Sequence, residues 1–176
     1  VKTLYVSQKE DVLDNLDDLG YTTFDEPDRY GLSLVLGGGE VKLLEHTNAY
    51  AAFAWEVLIC PNSAILKVEN SEGEVIEEFD KKSREVWEQQ AARMINDTIS
   101  DNSARVFAYG EDNALTLENR PVAAKTGTTN NFKDAWTLGY TPSLVTGVWV
   151  GNNDNSSMDQ GAYGGTVAAP IWNEYM

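Results

Sequence analysis

Val122-Ala123-Ala124-Lys125-Thr126-Gly127-Thr128, Ala135-Trp136-Thr137-Leu138-Gly139-Tyr140 and Leu144-Val145-Thr146-Gly147-Val148-Trp149-Val150 follow one another in quick succession. All three runs are rich in residues that suit a pleated, half-buried surface. The links between them are short and carry Asn, Gly and Pro, as reversals between antiparallel neighbours require. The pattern predicts three antiparallel strands. After Gly151 a loop of Asn, Asp, Ser and Gly leads to Thr166-Val167-Ala168-Ala169-Pro170-Ile171-Trp172, read as a closing helix.

Upstream of Pro121 the period is mostly helical. Val12, Leu13, Leu16 and Leu19 recur at helical spacing within Lys9 to Leu19, and Gly20 stands where a cap is expected. Tyr21 to Leu36 reads as loop with short elements. Gly37-Gly38-Gly39 precedes a predicted helix over Glu40 to Ala54, with Val41, Leu44, Ala49, Ala52 and Phe53 for its core face. Ala64 to Glu69 and Val75 to Phe79 flank Asn70-Ser71-Glu72-Gly73-Glu74, a hairpin with a Gly-containing turn. Ser83 is the expected cap of a third helix running to about Ser100, followed by a polar stretch without period to Arg120. The fold class is therefore α/β in the α+β sense: an antiparallel sheet flanked by helices.

Composition narrows the function. The 176 residues carry 28 acidic and 13 basic side chains, a net charge of −15, with 42% hydrophobic residues. That is enough apolar content for a packed domain. The acidity disfavours nucleic-acid and membrane-surface partners. The charge is uneven: residues 1–100 hold 20 acids and 9 bases, residues 101–176 hold 8 and 4. Cys60 is alone, which excludes an internal disulfide and a cysteine-based zinc site; no metal and no cofactor are expected. No stretch approaches the roughly 20 apolar residues of a membrane span. A chain that opens on Val1 rather than Met is read as an excised piece of a longer protein.

Lys125-Thr126-Gly127-Thr128-Thr129 sets a cation, hydroxyls and a glycine along one strand edge. Lys125 supplies positive charge, Thr126 and Thr128 supply hydroxyl donors, and Gly127 admits a close backbone. Such an edge suits a carboxylate-bearing peptide added as a strand. It is not a phosphate loop, because Lys and Thr precede the Gly and no Gly stands at the required distance upstream.

The surroundings add specificity. Arg120-Pro121-Val122-Ala123-Ala124-Lys125-Thr126-Gly127-Thr128-Thr129-Asn130-Asn131-Phe132-Lys133-Asp134-Ala135-Trp136, with Leu138-Gly139-Tyr140-Thr141-Pro142 and Gly147-Val148-Trp149-Val150-Gly151-Asn152-Asn153, closely resembles the end of the transpeptidase domain of class A penicillin-binding proteins. The similarity extends upstream through Ser33 to Val41 and Thr47 to Tyr50. The resemblance implies an incomplete penicillin-binding, serine β-lactamase-like fold in which residues 1–176 are the C-terminal portion. It implies part of a D-Ala-D-Ala transpeptidase that cross-links peptidoglycan and is a β-lactam target. Lys125 would organise charge near the reacting hydroxyls, Thr126, Gly127 and Thr128 would bind substrate, and the Thr128 backbone N–H would be an oxyanion donor. The implied partners are the peptidoglycan stem peptide, β-lactams, an upstream glycosyltransferase and the N-terminal transpeptidase segment. The implied location is extracytoplasmic, with the parent protein anchored to the bacterial membrane.

The chain departs from the family in two places. No Ser has a Lys three residues on: Ser63 meets Lys67 one position too far, Ser7 meets Lys9 one too near. The Ser-x-x-Lys nucleophile and the true Ser-x-Asn motif would lie upstream of Val1, so the isolated chain is expected to be inactive. Ser100-Asp101-Asn102 spells Ser-x-Asn, but it is read as cap and turn. The second departure is Ala54-Trp55-Glu56-Val57, where the family has turn glycines; either the helix runs on or the turn is rebuilt. Two alternatives remain: a non-catalytic module binding stem peptide or a partner, and a serine β-lactamase-type hydrolase. His46 and Cys60 are read as structural, and Trp136, Trp149 and Trp172 as packing of the sheet against the last helix. Asn130, Asn131 and Asp134 are read as turn residues.

Overall fold

A computed structural model describes residues 1–176. Two short helices lead, α1 (Lys2–Ser7) and α2 (Lys9–Asp18). Leu13 of α2 is buried, and Leu19 and Gly20 close the helix where the apolar period predicts. Two 3-10 turns, Pro27–Arg29 and Leu32–Leu36, then lead to α3 (Leu43–Ala54). This helix starts three residues later than the sequence pattern predicts. The Glu40 carbonyl accepts from Thr23 Oγ1 at 2.6 Å, its carboxylate pairs with Arg29 at 3.0 Å, and Lys42 is extended. Ala49, Ala51 and Ala52 turn inward, whereas Leu44, expected in the core, is 64% exposed.

Four short strands follow: β1 (Leu58–Ile59), β2 (Lys67–Glu69), β3 (Val75–Glu78) and β4 (Arg84–Glu85). β2 and β3 form the predicted hairpin. β4 corrects the expectation of a helix capped by Ser83. Arg84 and Glu85 pair with Ile59 and Leu58, the Arg84 guanidinium holds Asp18 at 2.8 Å, and Trp87 packs on Phe53 with ring centres 4.7 Å apart. Those tertiary contacts override the local signal, and α4 runs over Gln89–Ser100 instead. The polar stretch after Ser100 contains a helix the period did not show, α5 (Asn102–Tyr109). Asp101 caps it, accepting from the Ala104 N–H at 3.2 Å, and the Arg105 guanidinium reaches the carbonyls of Ile99 and Leu115.

The three predicted strands form one antiparallel sheet, β5 (Ala123–Thr128), β6 (Asp134–Thr141) and β7 (Leu144–Gly151), in that order. The chain then enters α6 (Ala169–Tyr175) through a π-turn over Gly164–Ala168. The closing helix starts later than the predicted Thr166, whose hydroxyl is taken by the carbonyls of Gly161 and Tyr163. Helices cover both faces of the sheet. α3 packs on the face that carries Trp136, Tyr140 and Gly147; α6 and the π-turn pack on the face that carries Thr126, Thr137 and Thr146. Under α6 lies the main core, in which fully buried Trp172 is packed with Leu115, Val122, Ala124, Ala169 and Met176. Tyr21, Ala49, Ala52 and Ile59 make the second core beneath α3.

The register decides which backbone groups each strand keeps free. The Thr129 N–H donates to the Asp134 carbonyl at 3.0 Å, and the register opposes Thr128 to Ala135. Antiparallel partners alternate between bonded and non-bonded pairs. Lys125 and Gly127 therefore bond to β6, and the peptide groups of Thr126 and Thr128 face outward. By the same alternation Leu144, Thr146, Val148 and Val150 bond to β6, leaving Val145, Gly147, Trp149 and Gly151 facing outward on the far edge.

Candidate functional site

Lys125-Thr126-Gly127-Thr128 sits on the β5 edge and lines a cavity of about 900 Å³. Its walls include Leu4 of α1, the turn at Gly37–Gly39, His46 and Tyr50 of α3, and Trp136 and Trp149 of the sheet. The two-residue pleat separates the motif's side chains. Lys125 lies on the α3 side, and its ammonium donates to the outward-facing carbonyl of Thr126. Thr126 and Thr128 lie on the α6 side. The buried Thr126 hydroxyl is 2.5 Å from the Tyr109 hydroxyl, and the Thr128 hydroxyl accepts from the Gly164 N–H at 3.0 Å. A second hollow of about 550 Å³ opens there, lined by Tyr109, Asn113, Thr126, Thr128, Tyr163 and Thr166. The cation and the hydroxyls thus meet only at the strand edge, where the peptide groups of Thr126 and Thr128 also point. An extended peptide laid along this edge would meet the ammonium and the Thr128 N–H without rearrangement of the sheet.

The end of β5 is clamped. Asp134 accepts from Thr129 Oγ1 at 2.8 Å and from Trp149 Nε1 at 2.9 Å, and its own N–H donates to Thr129 Oγ1 at 2.9 Å. These bonds tie all three strands together one residue beyond Thr128. Asn130–Phe132 make the tight turn between β5 and β6, with Asn131 at φ +62° and Phe132 at φ +54°. Gly164 backs the same point. A Cβ there would stand 2.3 Å from the Trp136 carbonyl oxygen and 2.6 Å from that of Gly127.

On the cavity wall, Tyr21 Oη lies 2.5 Å from His46 Nδ1, and the His46 ring stands edge-on to Trp136. Burial, with the charges of Tyr50 and Glu45, pushes the Tyr21 phenol far above its usual range, so it stays protonated and its hydroxyl can donate to or accept from the ring nitrogen. Burial also lowers the His46 pKa. Burial thus favours the neutral His46 ring, which packs between Tyr21, Tyr50 and Trp136 on the cavity wall.

Some residues of this site were not foreseen. Tyr109 came in on α5, which shows no clear period, and its contact with Thr126 has no sequence signal. Asp134, read as a turn residue, also anchors Trp149. Trp136 and Trp149 line the cavity on the α3 side; only Trp172, itself on α6, packs the last helix against the sheet as expected. Ser100-Asp101-Asn102 stays a cap and turn: Asp101 caps α5, and the Asn102 side chain meets Glu111 and Asn113. At the family departure, Trp55 ends α3 and the turn is kept by Glu56 at φ +50° and Val57 at φ +77°. A β-branched residue in that region is strained. Burial of Val57 and its backbone bonds with Ala52 and Val86 hold it there.

No group of three or more His, Cys, Asp or Glu is placed to hold a metal ion, and no helix is long and apolar enough to cross a membrane. No family model matches the chain. It is 39% identical over 144 residues to penicillin-binding protein 1A of Aquifex aeolicus (strain VF5), covering 82% of this chain and 19% of that protein. To penicillin-binding protein 1A of Neisseria lactamica it is 33% identical over 150 residues, covering 82% and 18%. Among solved structures, the PonA1 protein from Mycobacterium tuberculosis in complex with penicillin V matches with a TM-score of 0.76 at 26% identity, covering 94% of this chain and 48% of that one. The chain spans less than a fifth of the length of the two penicillin-binding protein 1A relatives.

Proposed function

We propose, from the premise that this chain is homologous to the C-terminal part of class A penicillin-binding proteins, that it supplies the Lys-Thr-Gly wall of a peptidoglycan D-Ala-D-Ala transpeptidase. The observation that carries the reading is the alternation on β5. The Thr126 carbonyl and Thr128 N–H face outward, with the Lys125 ammonium beside them. In this reading a stem peptide lies along β5 as an added strand. The Lys125 ammonium leaves the Thr126 carbonyl for the reacting groups, and the hydroxyls of Thr126 and Thr128 take the terminal carboxylate. The Thr128 N–H receives the charge that develops on the attacked carbonyl oxygen, held in place by the Asp134 clamp. The nucleophile comes from a Ser-x-x-Lys segment that residues 1–176 do not contain, so the isolated chain binds without forming an acyl-enzyme. The whole protein works on the extracytoplasmic side of the membrane, anchored there, with a glycosyltransferase upstream.

Two measurements test this. Incubation of the chain with a fluorescent penicillin is expected to leave it unlabelled after denaturing electrophoresis; a covalent band would overturn the missing-nucleophile argument. Titration with a D-Ala-D-Ala peptide, followed by amide shifts, is expected to move Thr128 and to weaken about tenfold or more in Lys125→Ala, the loss of one charge-assisted contact. Equal binding by the variant would remove Lys125 from the site.

A further inference from the structure

Thr126 and Thr128 stand where the two cavities meet, since both residues line both. Of the residues that flank them, Lys125 lines only the larger cavity and Tyr109 only the smaller. Each threonine oxygen is held from behind. Thr128 Oγ1 accepts from the Gly164 N–H at 3.0 Å, and the Gly164 carbonyl accepts from the buried Thr137 hydroxyl at 3.1 Å, so this support is itself fixed. Thr126 Oγ1 has one partner, Tyr109 Oη at 2.5 Å. Tyr109 is brought there by shape. It is the last residue of α5, which Gly110 closes at φ +82°, and its ring lies against Gly165, where a Cβ would stand 2.9 Å from Cε1.

Counting hydrogens shows what these hydroxyls can recognise. A hydroxyl has one O–H to give and two lone pairs to receive. The Thr128 oxygen spends a lone pair on the Gly164 N–H and keeps its O–H. A phenol is a stronger donor than an aliphatic alcohol, so the Tyr109 O–H goes to Thr126, which likewise keeps its own. Two threonine O–H groups on one face of the strand are left to donate. Each comes from an oxygen that already accepts a bond, which strengthens it as a donor. This set fits a carboxylate, whose two oxygens only accept, better than a carboxamide, which brings N–H donors of its own. The rest of the smaller hollow does not compete for the anion. Asn113 is committed to Asn102, Gly110 and Leu115, and the one charged side chain in the lining, Asp112, is an acid. A carboxylate is therefore kept at the strand edge, between the hydroxyls and the Lys125 ammonium.

We propose that Tyr109 is the positioning residue that sets a preference for a free C-terminal carboxylate over a carboxamide, by donating to Thr126 and turning the Thr126 O–H toward the ligand. The proposal rests on the reading that a D-Ala-D-Ala peptide ends at Thr126 and Thr128. Tyr109 acts through Thr126 and does not itself touch the peptide.

The test compares a peptide ending in D-Ala-D-Ala with the same peptide as its C-terminal amide, each titrated into the chain and its variants and followed by amide shifts. Tyr109→Phe keeps the ring on Gly165 and leaves the Thr126 hydroxyl free to turn. The ratio of carboxylate to carboxamide affinity is expected to fall about fivefold or more, in the range of one hydrogen bond, with the melting temperature little changed. Gly165→Ala is the second variant. Its methyl group pushes the Tyr109 ring aside without removing the hydroxyl, and the ratio is expected to fall in the same direction. Lys125→Ala separates this proposal from the reading beneath it. If that variant weakens the carboxylate peptide while Tyr109→Phe leaves the ratio unchanged, the Lys-Thr-Gly site stands and the role of Tyr109 is overturned. Equal weakening of both peptides by Tyr109→Phe would reduce Tyr109 to a structural prop and also overturn it. A chain that binds neither peptide would remove the site itself, and the proposal with it.

Discussion

The two edges of one three-stranded sheet differ in kind. β5 presents Lys125, buried Thr126 and a backbone backed by Gly164 and clamped by Asp134, with the Thr126 and Thr128 hydroxyls held by Tyr109 and the Gly164 N–H. β7 presents eight uncharged residues and is held at its end only through Trp149, which donates to Asp134. An edge that must receive one ligand in one pose has to be stiff and chemically marked. The difference lies less in the strands than in what stands behind them.

Glycine substitutions break that comparison most strongly. Gly164→Ala drives a methyl group into two backbone carbonyl oxygens, and neither can move without pulling β5 from β6. A loss of about 2–3 kcal/mol is expected by chemical denaturation, as for overpacking of a tight site, with peptide binding at β5 lost as well. Gly147→Ala meets Thr47 Oγ1 at 2.2 Å and Leu43 Cδ1 at 3.2 Å, both side-chain atoms on α3. Those atoms can turn aside, so the cost should be nearer ~1 kcal/mol and binding at β5 should be unchanged. Equal losses from the two would mean that the β5 edge is no stiffer than β7. A smaller effect is expected from Thr126→Val. It removes the hydroxyl that meets Tyr109 while keeping the shape, for a loss of roughly 1 kcal/mol. A larger loss would place more of the β5 edge's rigidity in α5 than the contacts indicate.

The sheet was legible because its signals are local. Three runs of strand-forming residues with short turn-rich links leave one arrangement, and Lys125-Thr126-Gly127 falls on its edge by position alone. α2 was equally plain, closed by Gly20. What failed were elements decided at a distance. Ser83 carries a good capping signal, but Arg84 is drawn into β4 by Ile59 and Asp18. α5 depends on the Asp101 cap and the reach of Arg105, neither visible in an apolar period. At the site, the strand pattern placed Lys125 and Thr128 at one edge, but it could not show that Tyr109 holds Thr126 or that Asp134 serves two partners. Such contacts join residues whose spacing in the chain carries no period. The turn at Glu56 and Val57 shows the converse. Its side chains disfavour positive φ, yet the buried Val57 and the β1–β4 pairing keep the turn where glycine would be easier.

The smallest expected effect separates the two edges by pH. α3 spans two strands on one face of the sheet, with His46 against Trp136 of β6 next to β5, and Thr47 and Leu43 against Gly147 of β7. Only the first contact titrates near neutrality. Burial lowers the His46 pKa below 6.5, so between the folded value and 6.5 the unfolded chain binds more protons than the folded one. The stability from keeping His46 neutral is therefore complete above pH 6.5 and is lost as pH falls through the folded value. Protonation at Nδ1 reverses the bond with Tyr21, whose hydroxyl oxygen then accepts from the imidazolium. Falling pH also relieves repulsion in a −15 chain, so the His46 contribution is read as the difference between the protein and His46→Gln, whose side-chain oxygen can still accept from Tyr21. Between pH 7.5 and 5.5 the protein should lose stability relative to the variant, with amide exchange rising at Trp136 and Gly127 before Val148. Parallel curves would show that His46 does not titrate on unfolding. Equal exchange at both edges would show that α3 transmits the change to the whole sheet.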